Sequence, residues 1–191
     1  MRFQEDLIYI ENTLKGDMAA FGHLIQKHEK YAYTLALRIV KNPEEAEEVA
    51  QDAFLKVYHS LKSFENKSKF TTWLYKIIYN EALGRLRKSK RLNIQLEEIP
   101  ESENYQVDFV DGLNSLHLEE RSELIRKALD NLKASESAVL TLFYLEEQTI
   151  KEIEEITQFS ESQVKILLHR GRKHMLESLK KISNQELINL L

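Results

Sequence analysis

Residues 69–91 read KFTTWLYKIIYNEALGRLRKSKR. Counted at about 100° per residue, Phe70, Leu74, Ile77 and Ile78 form one apolar stripe. Tyr75, Tyr79, Leu83 and Leu86 form a second, roughly opposite. A helix that is apolar on two sides is mostly enclosed. Between the stripes lies a polar wedge of Lys76, Asn80 and Arg87. Arg85, Arg87, Lys88, Lys90 and Arg91 crowd the last turn and its exit, where cations suit the helix dipole. Trp73, the single Trp of the chain, stands at the wedge edge beside the polar loop 65–69, which adds Lys67 and Lys69. Core packing explains most such aromatics, but it fits poorly for Phe70, Trp73, Tyr75 and Tyr79 together beside a basic rim. Flat faces for bases and charges for phosphates are what a single nucleic-acid strand requires.

Upstream, helix starts are legible. Asp17 can cap a helix holding Phe21, Leu24, Ile25 and His28. At 42–45, Asn-Pro-Glu-Glu supplies an N-cap, a Pro at the first helical position and a carboxylate at the third. From there Ala46, Ala50, Ala53 and Val57 recur as a buried stripe, widened by Val49, Phe54 and Leu61. The outer face carries Glu44, Glu48, Gln51, Asp52 and an isolated Leu55. One exposed Leu means little, but among carboxylates on a long helix it suits a partner-binding face as well as a solvated one.

Downstream of Arg91 the helical period dissolves through 92–117, which holds Pro100, Gly112 and many carboxylates. So long a structureless stretch inside one compact domain would be unusual, and it reads as a linker. Helices resume near Leu118, with Ser135 expected to cap one running through Val139, Leu142 and Phe143. Thr149-Ile-Lys-Glu152 and Ser160-Glu-Ser-Gln163 are both capping boxes. Together they predict a short helix, a tight turn and a second helix. Val164, Leu168, Gly171 and Met175 make that second helix's inward stripe. Gln163, Lys165, Ile166, His169, Arg170, Arg172 and Lys173 are expected outward, with Ser162 beside them at its start. A basic outer face behind a short entry helix suits a DNA major groove.

Charge supports the same division. The chain is −4 overall, yet 67–91 is +7, 165–181 is +5 and 92–123 is −8. Two basic patches with an acidic spacer describe it better than the net value does. The spacer is expected to screen the basic faces and draw the free protein together.

The 191 residues allow one large or two small domains, and only five Gly and two Pro favour long helices. No Cys occurs, which excludes disulfides, thiolate zinc sites and cysteine nucleophiles. The start, MRFQEDLIYIENTL, lacks the pattern of a signal peptide, and no apolar run is long enough to span a membrane; a cytoplasmic protein is expected. Glu44, Glu45, Glu47 and Glu48 lack the His spacing of a metal site. His23/His28 and His169/His174 are each five apart, off one helical face. With no nucleophile elbow or glycine-rich phosphate loop, no catalytic residue, cofactor or small-molecule substrate is expected.

These runs resemble a known family. NPEEAEEVAQDAFLKVYHSLKSF followed by FTTWLYKIIYNEALGRLRK is similar to region 2 of the extracytoplasmic-function (ECF) sigma factors of bacterial RNA polymerase. KASESAVLTLFYLEEQTIKEIEEITQFSESQVKILLHRGRKHMLESL is similar to region 4. The resemblance implies an all-α chain of two helical domains joined by a flexible acidic linker. Their spans would be 1–91 for region 2, 92–117 for the linker, 118–183 for the region 4 helix-turn-helix and 184–191 for a tail. It implies that Glu48, Gln51, Asp52 and Leu55 bind the clamp helices of the polymerase beta-prime subunit, with region 4 at the flap of beta. Loop 62–70, with Lys67, Lys69 and Phe70, would capture a flipped base of the promoter −10 element. Trp73, Lys76, Asn80, Arg85, Arg87 and Lys88 would hold the −10 strand. Ser162, Gln163, Lys165, Ile166, His169, Arg170, Arg172 and Lys173 would face the −35 element. The implied partners are core RNA polymerase and promoter DNA, with a membrane-bound anti-sigma protein a further one that the resemblance allows.

Several positions depart from the family pattern. Glu154 stands where a small residue is usual, on the entry helix's inward stripe, and Gln158 where Gly usually makes the turn. Ile166-Leu167 replaces a Ser-Arg pair, Gly84 an Asp and Tyr79 an Arg. A helix-turn-helix regulator, or a polymerase-binding regulator that never opens DNA, is the competing reading. The regulator leaves the aromatic-basic segment unused, and run-off transcription with core polymerase separates both from a sigma factor.

Overall fold

The computed structural model describes the backbone of residues 2–88 and 118–189, and side chains from 5 to 88 and 124 to 182. The expected linker at 92–117, with Lys90 and Arg91 before it, lies outside the described residues. The regular structure among those residues is helical: α1 Arg2–Leu14, α2 Met18–Val40, α3 Pro43–Ser60, α4 Phe70–Lys88, α5 Leu118–Asp130, α6 Ala134–Leu140, α7 Ile150–Thr157 and α8 Glu161–Asn189. A 3-10 turn, Leu61–Ser63, follows α3, and a π-helical segment, Thr141–Leu145, continues α6. None of the described helices is long and apolar enough to cross a membrane.

The caps fall largely where residue chemistry places them. The Asp17 carboxylate accepts hydrogen bonds from the backbone N–H groups of Ala19 and Ala20, at 2.9 and 3.2 Å. Lys41, at φ 61°, closes α2, and Asn42 Oδ1 accepts from the Glu45 N–H at 2.8 Å to open α3. Both capping boxes form. Thr149 and Glu152 exchange bonds at the start of α7, and Ser160 and Gln163 do so at the start of α8. Ser135 does not cap α6. The helix begins two residues earlier than that cap would place it, at Ala134 behind Lys133, with no side-chain cap. Its start is held instead by packing and by Ser137 Oγ donating to the Leu129 carbonyl at 3.2 Å. α8 also runs further than expected, to Asn189.

α2, α3 and α4 pack together, with α1 laid along α2. The expected stripe of Ala46, Val49, Ala50, Ala53, Phe54 and Val57 is buried, facing Leu24, Leu35, Ile39, Leu74 and Ile78. Burying each large apolar chain contributes about 1.5–3 kcal/mol. In the second half, α5, α6 and α7 pack on α8 around Leu129, Val139, Leu142, Ile153, Ile156, Val164 and Leu168. Gly171 lets α8 close on α6, since a Cβ there would lie 2.9 Å from Leu140 Cδ1.

The two halves also touch. α4 packs against α7, and α2 against α6, so their buried apolar residues join in a single cluster. α4 is thereby enclosed on two sides, as its double stripe requires: α2 and α3 take one, α7 the other.

Candidate nucleic-acid interface

Three surfaces gather the residues singled out by the sequence. The first is the outer face of α3. Glu48, Gln51, Asp52 and Leu55, three or four residues apart, share one side of the helix and are all exposed. Leu55 is 59% exposed, and Tyr58 continues the line at 39%. Among the described residues Leu55 takes no part in the core: the apolar stripe of α3 faces the opposite way.

The second surface is the open edge of α4. Asn80, Arg87 and Lys88 are exposed and Lys76 is half-buried. Arg85 is drawn aside into an ion pair with Glu48 of α3, so it joins two groups the sequence reading kept apart. A second bridge, Lys56 to Glu81, crosses the same helix pair. Exposed pairs of this kind contribute about 0–1 kcal/mol each. Between the helices opens a cavity of about 450 Å³ lined by Lys56, His59, Ser60, Ile77, Asn80 and Glu81. Sequence reasoning found Asn80 but missed Lys56, His59 and Ser60. Their spacing of three and four places them on the α4 side of the last turn of α3, the signal that could have found them.

The aromatics divide differently from the expectation. Phe70, Tyr75 and Tyr79 are only 3%, 2% and 4% exposed. Phe70 sits among Phe64, Trp73 and His28, with ring centroids at 5.8, 6.0 and 5.6 Å. It therefore presents no face to a base here, because both sides of its helix are covered. Burial also pushes the Tyr79 phenol up to about 12, against the pull of Arg87. Trp73 alone of the four keeps an open edge. Phe64, unmarked in the sequence reading, anchors loop 62–69 by packing on Trp73 at 5.3 Å. Asn66 supplies that loop's turn at φ 54°. In the loop Lys67 pairs with Glu65, and Lys69 pairs with Glu152 of α7 at 2.8 Å.

The third surface is α8. Ile166 is 3% exposed and so is not on the outer face. It stands about 200° around the helix from Val164. Since α5, α6 and α7 all pack on α8, two opposite sides are covered. Arg170 and Gln163 flank the Ile166 side and are half-buried. The sector that remains holds Ser162, Lys165, His169, Arg172 and Lys173, within about 100° of one another. Lys165 pairs with Glu161 at 2.6 Å. Arg172 leans over the Tyr144 ring, its guanidinium carbon 5.8 Å from the centroid, with its Nε buried and unpartnered. At the turn before α8, Gln158 adopts φ 64°, the left-handed backbone that a Gly would adopt at lower cost. Glu154, expected inward, is half-exposed, while Ile153, Ile156 and Thr157 fill the buried side of α7.

Known proteins share this arrangement. The sequence matches the profile of sigma-70 region 2 over residues 24–92 and that of sigma-70 region 4 over residues 122–175. It is 32% identical over 177 residues to the ECF RNA polymerase sigma factor SigW of Bacillus subtilis (strain 168), covering 90% of this chain and 95% of the relative. The chain belongs to the ECF sigma factors of the sigma-70 family. The ECF RNA polymerase sigma-E factor of Escherichia coli (strain K12) is 27% identical over 174 residues, 88% of this chain and 91% of that one. Two solved structures share the fold. CnrH, in complex with the cytosolic domain of CnrY, gives a TM-score of 0.62 at 20% identity, covering 93% of this chain and 98% of that chain. The sigma factor RpoE of Bartonella quintana, in complex with the anti-sigma factor NepR, gives 0.63 at 24% identity, covering 84% and 96%. As a sigma factor, the chain binds core RNA polymerase and directs promoter-specific initiation of transcription. Among the described residues no group of His, Asp or Glu is arranged to hold a metal ion.

Proposed function

We propose a division of labour among the three surfaces. The outer face of α3, through Glu48, Gln51, Asp52 and Leu55, docks the clamp helices of the beta-prime subunit. Loop 62–69 and the open edge of α4, through Lys67, Lys69, Trp73, Lys76, Asn80, Arg87 and Lys88, hold the separated −10 strand. The α8 sector of Ser162, Lys165, His169, Arg172 and Lys173 faces the −35 element, with Arg170 and Gln163 at its margin and region 4 near the flap of beta. The protein acts in the cytoplasm, where polymerase and chromosome are, and an anti-sigma protein is a natural controlling partner. The observation carrying this reading is that the α4 edge is charged and exposed beside a cavity, while the acidic face of α3 next to it stays uncovered.

Strand opening costs a few kcal/mol per unstacked base, which a pocket can offset, and base–aromatic stacking returns about 1–3 kcal/mol. Asn80→Ala removes a side chain able to hydrogen-bond a base edge and leaves the face of α3 intact. Permanganate footprinting of −10 thymines should show Asn80→Ala impaired on duplex promoters and nearly normal where the bubble is already mismatched. Arg87→Ala should weaken both templates and lower salt sensitivity, as a phosphate contact does. Equal melting of duplex promoters by Asn80→Ala and the parent would remove this edge as the strand-holding surface.

A further inference from the structure

We infer that a buried pair, Asp6 of α1 and His28 of α2, sets the shape of the strand-holding loop, with His28 the positioning residue that braces Phe70 at the loop's exit. The inference rests on the proposed role of loop 62–69 and α4, and deepens it. Two helices are tied together at this point. Lys27 Nζ pairs with Glu5 at 3.1 Å and with Asp6 at 2.8 Å, and His28 Nε2 lies 3.2 Å from Asp6 Oδ1. These bonds hold the Asp6 carboxyl below its ordinary value. An ionised carboxylate only accepts, so His28 Nε2 carries the proton and is the donor.

From His28 the link runs through rings. Its imidazole meets the Phe70 ring at 5.6 Å, and Phe70 in turn meets Phe64 at 5.8 Å and Trp73 at 6.0 Å. Phe64 and Phe70 stand on either side of the polar residues 65–69, so their contact closes the base of the loop. α1 also touches both ends of that loop, the turn Leu61–Ser63 that leads in and α4 that leads out. One bond to Asp6 therefore fixes the ring on which the aromatic cluster rests. Trp73, the member with an open edge beside the basic rim of α4, is aimed through it.

Stability does not account for the pair. Both side chains are buried, and an apolar pair of similar volume in such a place is often neutral or stabilising. What an apolar pair lacks is direction. A branched aliphatic side chain at position 28 would fill the space, whereas a hydrogen-bonded imidazole holds one orientation and specifies one packing of its neighbours.

The single Trp of the chain, Trp73, reports on its own cluster. In the full-length protein, Asp6→Leu with His28→Leu should unfold at a denaturant concentration no lower than the parent does. Its Trp73 emission should nevertheless move to longer wavelength as the indole wets. With core polymerase bound, it should open a duplex promoter on which the parent initiates about tenfold more slowly in permanganate footprinting, the cost of a misplaced binding group. Asp6→Asn keeps an acceptor for His28, so it should match the parent in emission and opening although it is the less stable protein. His28→Gln keeps a donor for Asp6 but has no ring to set against Phe70. It should share the defects of the double variant, and it decides the matter if the double variant does not fold. Parental emission in either folded variant would overturn the brace. So would a defect in Asp6→Asn as large as that of the double variant, since the pair would then serve stability alone. Shifted emission with parental opening would keep the brace and count instead against the strand-holding role of the loop.

Discussion

At Gln158 the backbone is left-handed, and its N–H still closes α7 by donating to the Glu154 carbonyl at 2.8 Å. A side chain in that conformation costs roughly 1–2 kcal/mol, offset in part here by Gln158 Nε2 donating to the Glu155 carbonyl. Gln158→Gly should therefore stabilise the helix-turn-helix by about 0.5–1 kcal/mol, read from a denaturant midpoint. The converse holds at Gly171, where an added Cβ would meet Leu140 at 2.9 and 3.1 Å and Glu136 at 3.4 Å. Gly171→Ala should cost about 1–2 kcal/mol as the core is overpacked, measured the same way. A third position is Asp6, buried against His28 at 3.2 Å and Lys27 at 2.8 Å. Burial pushes its carboxyl up, but the bonds from His28 and Lys27 outweigh that and hold it below 3.8. A lowered carboxyl stabilises the fold above its ordinary value and loses that contribution as pH falls through the folded one. The advantage of the parent over Asp6→Asn should thus be full near neutral pH and shrink below about pH 4 in acid titrations. Of these three positions, Gln158 stood out through the resemblance, which usually has Gly at that turn. Gly171 was visible only as an inward position, and Asp6 not at all, since its partners come from another helix.

Among the elements, α2, α3, α7 and α8 were readable because each carries a cap before an apolar period, and α4 because of its two apolar stripes. α1 was missed: Leu7 and Ile10 follow a helical spacing, but polar Asp6 and Thr13 share the buried side. The π-helical turn at Thr141–Leu145 was likewise illegible, as no residue type announces it. It turns Tyr144 and Leu145 outward, 47% and 49% exposed. For α4 the double stripe correctly demanded enclosure, yet the stacking reading of its aromatics asked for exposure. Enclosure prevailed at Phe70, Tyr75 and Tyr79. The uncovered face of α3 gives the element-scale prediction. Leu55→Arg with Asp52→Lys should weaken co-elution with core polymerase at least tenfold and leave the helical melting curve unchanged. Neither side chain contributes to the core, so a shared loss of fold and binding would contradict the docking role.

At the scale of the whole molecule, two helical domains in this order were legible from the charge segregation and the break in helical period. How they meet was not. Tyr75 and Glu146 are 71 residues apart, and Arg38 and Asp130 are 92 apart, beyond any periodicity. The sequence suggested compaction by an acidic spacer, which lies outside the described residues; the described residues show specific bonds and packed helices. Salt screens charges to about 3 Å at 1 M and weakens the pairs Lys69–Glu152 and Arg38–Asp130, but leaves Thr72–Gln148 and the apolar contact. High salt should therefore leave the contact between the two halves largely in place, read as little change in the radius of gyration of the free protein by X-ray scattering. The central claim, that this chain endows polymerase with promoter choice, is met most directly by transcribing fragmented genomic DNA with purified core enzyme, with and without the protein, and mapping RNA 5′ ends. Starts that appear only with the protein and share one pair of −35 and −10 sequences are the predicted result; the same starts with and without it would contradict the account.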